Sequence, residues 1–231
     1  ALAKPMPKRE EMDGFIKTLP FPLTGDQKKA VDAIYLGTNG ETTLNAMVAG
    51  DVGCGKTAVA LIAALLAWEN GYQTIIMAPT LVLAKQHYDE MAKMASAIGV
   101  KFALMTGEVK AKERKEILKG LDEGSIDILI GTHAVLSPDL SFKNLGLTIV
   151  DEEHRFGAQQ KELLEVFDKA GTHHLSMTAT PIPRSYASSI YGDSLDLITI
   201  EEMPKGRKPV ITSVEHDREE VYRKLLTEIN A

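Results

Sequence analysis

Short apolar runs rich in β-branched residues alternate along this chain with stretches of helical periodicity. That alternation predicts an α/β fold, a parallel sheet with helices on both faces. Strands are expected at residues 44–49, 74–78, 101–105, 126–130, 147–150, 174–177 and 195–200. The clearest helix is expected over residues 82–98, where Leu83, His87, Met91, Met94, Ala95 and Ile98 fall on one stripe at helical spacing. Such a stripe reads as core packing. Other helices should begin near Lys56, near Leu81 and after Thr24, the last continuing through Ile34.

The ends of the chain carry a different pattern. Residues 1–22 hold Pro5, Pro7, Pro20 and Pro22 around one short helix and read as a lead-in segment. Residues 23–203 form the main domain. From residue 204 a Pro/Gly/basic linker, MPKGRKP, leads to one strand and one helix, too little to stand alone, which reads as the opening of a truncated second domain.

The chain has 231 residues, 44% of them apolar, which suits a well-cored fold. Its longest apolar run, residues 58–68, falls short of the roughly 18 residues a membrane span needs. The lone cysteine, Cys54, excludes an internal disulfide or a cysteine zinc site. A soluble, cytoplasmic and monomeric protein with no membrane contact is expected. A net charge of −6 argues against broad adhesion to nucleic acid, so any contact with a polyanion must be local. The most basic run, residues 110–119, is interleaved with Glu113 and Glu116 and suits a solvated helix face as well as a phosphate-binding strip.

Candidate chemistry starts at GDVGCGKT, residues 50–57, which fits G-x-x-x-x-G-K-[ST] between a buried strand and an apolar helix. Glycines let such a loop turn its backbone N–H groups onto anionic oxygens, and the following helix adds its positive end. Gly50, Asp51, Val52, Gly53, Cys54, Gly55, Lys56 and Thr57 therefore form a candidate ATP cradle. In it Lys56 reaches the β- and γ-phosphates and the Thr57 hydroxyl ligates Mg2+. The second element is Asp151-Glu152 at the end of the strand in LTIVDEEHRFG. Asp151 can hold the metal and Glu152 can take a proton from attacking water, a division that suits hydrolysis better than transfer to an acceptor. Both places should converge, across neighbouring strand ends, on one triphosphate and its metal.

Together with APT (residues 78–80), GTH (131–133), DEEH (151–154) and TAT (178–180), the cradle resembles the motif set of superfamily-two helicases and translocases, over residues 19–209. DEEHRFG, TATPIPR, MPKGRKPV and TGEVKAKER more narrowly resemble the RecG family of branch-migrating DNA helicases. Glu153 and Ser185 depart from that family's usual pattern and keep the Mfd transcription-repair translocases as the second resemblance. The resemblance implies the first RecA-like motor domain of an ATP- and Mg2+-using DNA helicase active in repair and recombination. Gln27 would contact adenine. Thr80, Thr106, Gly107, Thr132 and His133 would line the track for the DNA backbone. His154, Thr178 and Thr180 would couple nucleotide state to that track, and Arg184 would reach toward the second motor domain. Without that domain's arginine finger, the chain alone should bind nucleotide weakly, hydrolyse it slowly and unwind nothing.

Plainer roles stand beside these. Thr24 and Gln27 have the T-x-x-Q layout of a capping box, and one glutamine could not easily cap a helix and read adenine at once. Thr80 can cap the helix from Leu81, and Thr132 and His133 can start a short helix. His173 and His174 read as ordinary loop and strand residues, and Cys54 as a small tolerated side chain. The opposing function is a P-loop switch that moves a partner without translocating.

Overall fold

The computed structural model describes residues 3–152, 171–180, 195–204 and 217–229. In chain order its elements are α1 (Glu10–Thr18), α2 (Gly25–Thr38), β1 (Asn45–Gly50), α3 (Lys56–Glu69), β2 (Gln73–Met77), α4 (Leu81–Met94), β3 (Phe102–Met105), α5 (Ala111–Glu123), β4 (Ile128–Gly131), a 3-10 turn (His133–Leu136), β5 (Leu145–Asp151), β6 (His173–Thr178), β7 (Asp196–Ile200) and a last helix, α6 (Arg218–Ile229). The expected strands thus each appear within two residues of their predicted ends. The expected strand beyond residue 209 lies outside the described residues.

All described pairings are parallel, in the order β3-β4-β2-β5-β6-β1-β7. Strand residues alternate between two cores, as a period of two requires. Ala46, Val48, Ile76, Ile128, Ile130, Leu147, Ile149, Leu175 and Met177 face the layer built from α1 to α4. Ile75, Met77, Ala103, Met105, Leu129 and Val150 face α5 and the 3-10 turn, through Ile117, Leu121, Val135 and Leu136. Burial on both faces explains why β2, β4 and β5 read as largely apolar runs.

Helix α3 accounts for the long apolar run. It is buried from Ala58 to Ala67 between the sheet and the helices α1, α2 and α4, so no side of it needs to be polar. Helix α4 stops four residues earlier than its periodicity suggested. The N–H of Ala95 closes onto Met91 O and Lys93 O, ending the helix before Gly99. Its deepest positions are Ala84, His87 and Met91, with Leu83 only half-buried.

The lead-in segment packs as part of the core. Met6, Met12 and Phe15 are buried, and α1, which lacks a side-chain cap of its own, is capped from α3: Glu69 accepts the N–H groups of Glu11 and Met12. Lys4 donates its ammonium to Leu145 O, and its own carbonyl accepts from His173 Nε2 at 2.7 Å. His173 and His174 both lie in β6 and are buried.

Candidate functional site

Every strand that precedes a candidate site residue ends at the same, carboxyl, edge of the sheet, where open parallel sheets bind ligands. β1 runs into residues 50–57, β2 into Thr80, β3 into Thr106 and Gly107, β4 into Thr132 and His133, β5 ends on Asp151 and β6 on Thr178. The strand order divides these places. β3, β4 and β2 are consecutive and carry the proposed backbone track, whereas β5, β6 and β1 carry the proposed triphosphate site.

The cradle is a loop that tolerates little besides its own sequence. Gly53 and Gly55 have φ of 80° and 90°, the left-handed region that glycine enters without strain. A Cβ on Gly55 would lie 2.2 Å from Gln27 Nε2, and one on Gly50 would lie 2.6 Å from Cys54 Sγ and 2.7 Å from Ile200 O. Cys54 therefore fills the space beneath the loop, which fits its reading as a small side chain. Lys56 Nζ rests on Gly50 O at 2.5 Å and Asp51 O at 3.0 Å. A cation held only by carbonyls at a helix N-terminus lies beside a place where anionic oxygens would be bound in its stead.

Gln27 performs more than one task. Its Oε1 accepts from Thr24 N at 2.9 Å while Thr24 Oγ1 accepts from Gln27 N, completing the capping box. Its Nε2 donates to Cys54 O at 2.7 Å, tying α2 to the cradle. The capping-box role expected from the T-x-x-Q layout is present, and it uses the acceptor of Gln27 while the donor holds the loop. Asp26, beside it, accepts the N–H groups of Glu201 and Glu202 after β7, and these bonds hold its carboxyl below the usual range.

β5 and β1 are next-but-one rather than neighbouring strands, with β6 between them. Asp151 is level with Met177 on β6, and Met177 with Val48 on β1, so the acidic pair and the start of the cradle share one edge. Two strand spacings separate them, about 10 Å. Alternation from Leu147 and Ile149 puts Asp151 on the face that carries α3, the helix that opens with Lys56 and Thr57. Asp151 is buried, and its Oδ2 lies 2.8 Å from His87 Nε2 on α4.

Glu152 has φ of 53°, the left-handed region again and unusual for a residue with a side chain. Its N–H bonds Met177 O, its Oε1 accepts from Ala179 N at 2.9 Å, and its Oε2 accepts from Thr178 Oγ1 at 3.4 Å. Thr178 Oγ1 accepts in turn from Thr180 N at 3.1 Å. The TAT segment and the second carboxylate thus form one hydrogen-bonded unit. His154, Arg184, Glu153 and Ser185 lie outside the described residues.

On the track half, Thr80, Gly107 and His133 are exposed, while Thr106 and Thr132 are buried. Thr80 Oγ1 accepts from Leu83 N and caps α4, and Thr106 Oγ1 accepts from Glu108 N. Thr132 precedes the short 3-10 turn, without capping it through its side chain. Arg114 on α5 reaches Ser137 and Asp139 and holds the segment that follows this turn.

Sequence reasoning placed His87 correctly in the core but gave it no partner. Periodicity placed it on the buried face of α4, as observed. Its partner lies 64 positions away at the end of another strand, and no local pattern carries that pairing.

A seven-stranded parallel sheet with a glycine-rich loop after β1 and an acidic pair after β5 defines a RecA-like P-loop fold. A family profile described as DEAD/DEAH box helicase matches residues 24–188, and the chain belongs to that family. It is 45% identical over 217 residues to the ATP-dependent DNA helicase RecG of Aquifex aeolicus, covering 93% of this chain and 27% of the relative. To the RecG of Thermotoga maritima it is 46% identical over 229 residues, covering 97% and 29%. A solved structure of RecG bound to a three-way DNA junction superposes with a TM-score of 0.86 at 42% identity, covering 99% of this chain and 31% of that one. The chain thus spans less than a third of the length of these relatives. No described helix is long and apolar enough to cross a membrane.

Proposed function

We propose that this chain is the first motor domain of a RecG-like, ATP-dependent DNA helicase, a cytoplasmic branch-migration enzyme of DNA repair and recombination. Supporting this reading above all is the division of one sheet edge into a triphosphate half and a track half, with Asp151 at the boundary. The cradle fits a triphosphate: a Cβ would fill it, and Lys56 waits on carbonyls that phosphate oxygens can replace. Among the described residues no group of three or more His, Cys, Asp or Glu could hold a metal alone. A magnesium ion held by the Thr57 hydroxyl, the Asp151 carboxylate and substrate phosphates needs none.

When bound, magnesium would neutralise charge that develops on the phosphates. Lys56 would leave Gly50 O and Asp51 O for the β- and γ-phosphates, and Gln27 would turn toward adenine. Glu152, held by Ala179 N, would accept the proton of the attacking water. Thr178 and Thr180 would then transmit the change at Glu152, with His154 as a further coupling residue. Thr80, Thr106, Gly107, Thr132 and His133 would hold DNA phosphates, which gives a grip without base preference. A second RecA-like domain would complete the site with an arginine finger, and the motor would act as a monomer.

The test is ATP hydrolysis, with and without branched DNA, by a chain that also carries the second motor domain. Stimulation by DNA, with the γ-phosphate released to water, is expected. Hydrolysis indifferent to DNA would instead indicate a nucleotide switch, and phosphate found on an acceptor a kinase.

A further inference from the structure

His87 occupies the middle buried position of a stripe whose neighbours, Ala84 and Met91, are fully buried and apolar. A leucine there would continue the core. Instead the side chain, 7% exposed, directs Nε2 at Asp151 Oδ2, 2.8 Å away, and Asp151 is itself only 12% exposed. Nδ1 is buried and, among the described residues, has no hydrogen-bond partner. A buried nitrogen left without a partner costs stability that a leucine at this position would not.

The bond has two consequences. It occupies one oxygen of Asp151 and stops rotation of the carboxylate, so that the other oxygen is held in one direction; among the described residues that oxygen has no partner. It also joins the two halves of the sheet edge. Helix α4 starts at Thr80 and packs over β3 and β4, the strands that lead to Thr106, Gly107, Thr132 and His133. Through His87 this helix of the track half holds the metal-binding carboxylate of the other half.

We propose that His87 is a positioning residue: it orients Asp151 for the metal, and because it sits on the track helix it passes a displacement of α4 to that carboxylate. The proposal rests on the motor reading above. Outer-shell partners of this kind are typically worth about 10- to 100-fold in metal affinity. By linkage, whatever DNA does to metal-nucleotide affinity, the metal-nucleotide complex must do to DNA affinity.

The test is equilibrium binding. Mn2+ is titrated into the full chain with ADP and read by electron paramagnetic resonance, while nucleotide affinity in EDTA serves as the control for the cradle. His87→Leu should weaken Mn2+ binding about 10-fold or more, leave nucleotide affinity in EDTA within about twofold, and keep the cooperative thermal transition. His87→Gln, which retains a donor, should recover most of the loss. Mn2+ affinity within about twofold of wild type in His87→Leu overturns the positioning role while leaving the motor reading intact. A wild-type chain that binds no Mn2+ with nucleotide overturns both. Transmission is read separately, by adding an oligothymidylate strand. A shift in Mn2+ affinity in wild type that is lost in His87→Leu supports it; an equal shift in both, or none in wild type, overturns it.

Discussion

Glu152 Oε1 accepts the backbone N–H of Ala179 at 2.9 Å, so the second carboxylate of β5 is positioned by the segment that follows β6. The backbone of Glu152 lies in the left-handed region, and such conformations persist when the surroundings over-determine them. Here the N–H bond to Met177 O and the side-chain bonds to Ala179 and Thr178 do so. A carboxylate fixed this way can receive a proton at a defined place, and its release would be felt at Thr178 and Thr180.

Glu152→Gln keeps an acceptor for Ala179 N and removes the carboxylate proposed as the base. Hydrolysis by a chain carrying both motor domains should fall by about 10²- to 10⁴-fold, the usual worth of a general base. Nucleotide affinity should stay within a few-fold of wild type. Steady-state phosphate release together with fluorescent-nucleotide titration separates the two, and a variant that loses both alike would show Glu152 to be structural.

Gln27 holds Thr24 N with its oxygen and Cys54 O with its nitrogen. Gln27→Ala should remove the reciprocal half of the cap and loosen the loop, at about 1 kcal/mol of stability. Adenine recognition adds a base-specific loss. If Gln27 reads adenine, ATP affinity should fall more than GTP affinity in the variant. Equal losses for both nucleotides would confine the residue to capping and loop support.

Much of this architecture is legible from period alone. Strands buried on both faces stand out as β-branched runs, and the glycines of residues 50–55 announce a turn that side chains would block. Positions and faces of residues followed, including that of His87. What local patterns could not supply is the order of the strands, since β6 enters between β5 and β1 through pairings about 25 and 130 residues apart in sequence. For the same reason the sequence revealed neither the His87–Asp151 bond nor the burial of the lead-in segment. Both depend on which elements become neighbours.

Gly131 illustrates a constraint that only packing shows. A Cβ there would lie 1.9 Å from Met105 O and 2.7 Å from Val135 Cγ1, with backbone on one side and a core side chain on the other. Thr132 N also donates to Met105 O, at 3.3 Å. Gly131→Ala should therefore force β3 from β4 and cost about 1–3 kcal/mol, as overpacked cores do. Urea unfolding measures the loss. An unchanged midpoint would mean that the β3 end moves freely, and the proposed track residues Thr106 and Thr132 would then share no rigid frame.

The chain by itself should hydrolyse ATP slowly and fail to separate DNA strands. An arginine finger from a second domain is worth about 10³- to 10⁵-fold in related phosphoryl transfers, and the residues described at this edge supply Lys56 alone as a cation on the cradle. Phosphate release by the 231-residue chain, compared with one extended through the second domain, measures the difference. Rapid unwinding of a forked duplex by the chain alone would show that this edge is already complete.

His173 gives the fold a pH dependence whose sign follows from its bonds. Nε2–H donates to Lys4 O, and Nδ1 accepts from Leu44 N at 2.9 Å, so the ring is held neutral between the lead-in segment and the entry to β1. Burial first, and the nearby Lys4 charge after it, push its pKa below 6.5, with the bond to Lys4 O opposing them. Protonating Nδ1 would face a proton with the N–H of Leu44. The folded state therefore binds fewer protons than the unfolded chain, and stability present above about pH 6.5 is lost as pH falls below it toward the lowered value. One site can contribute at most about 1.4 kcal/mol per pH unit. Urea midpoints of wild type and His173→Asn, taken between pH 7.5 and 5.5, should converge as the pH falls, because the variant has no ring to protonate. Parallel curves would mean that the ring titrates alike in the folded and unfolded chain, and the clasp between Lys4 and Leu44 would have no part in acid sensitivity.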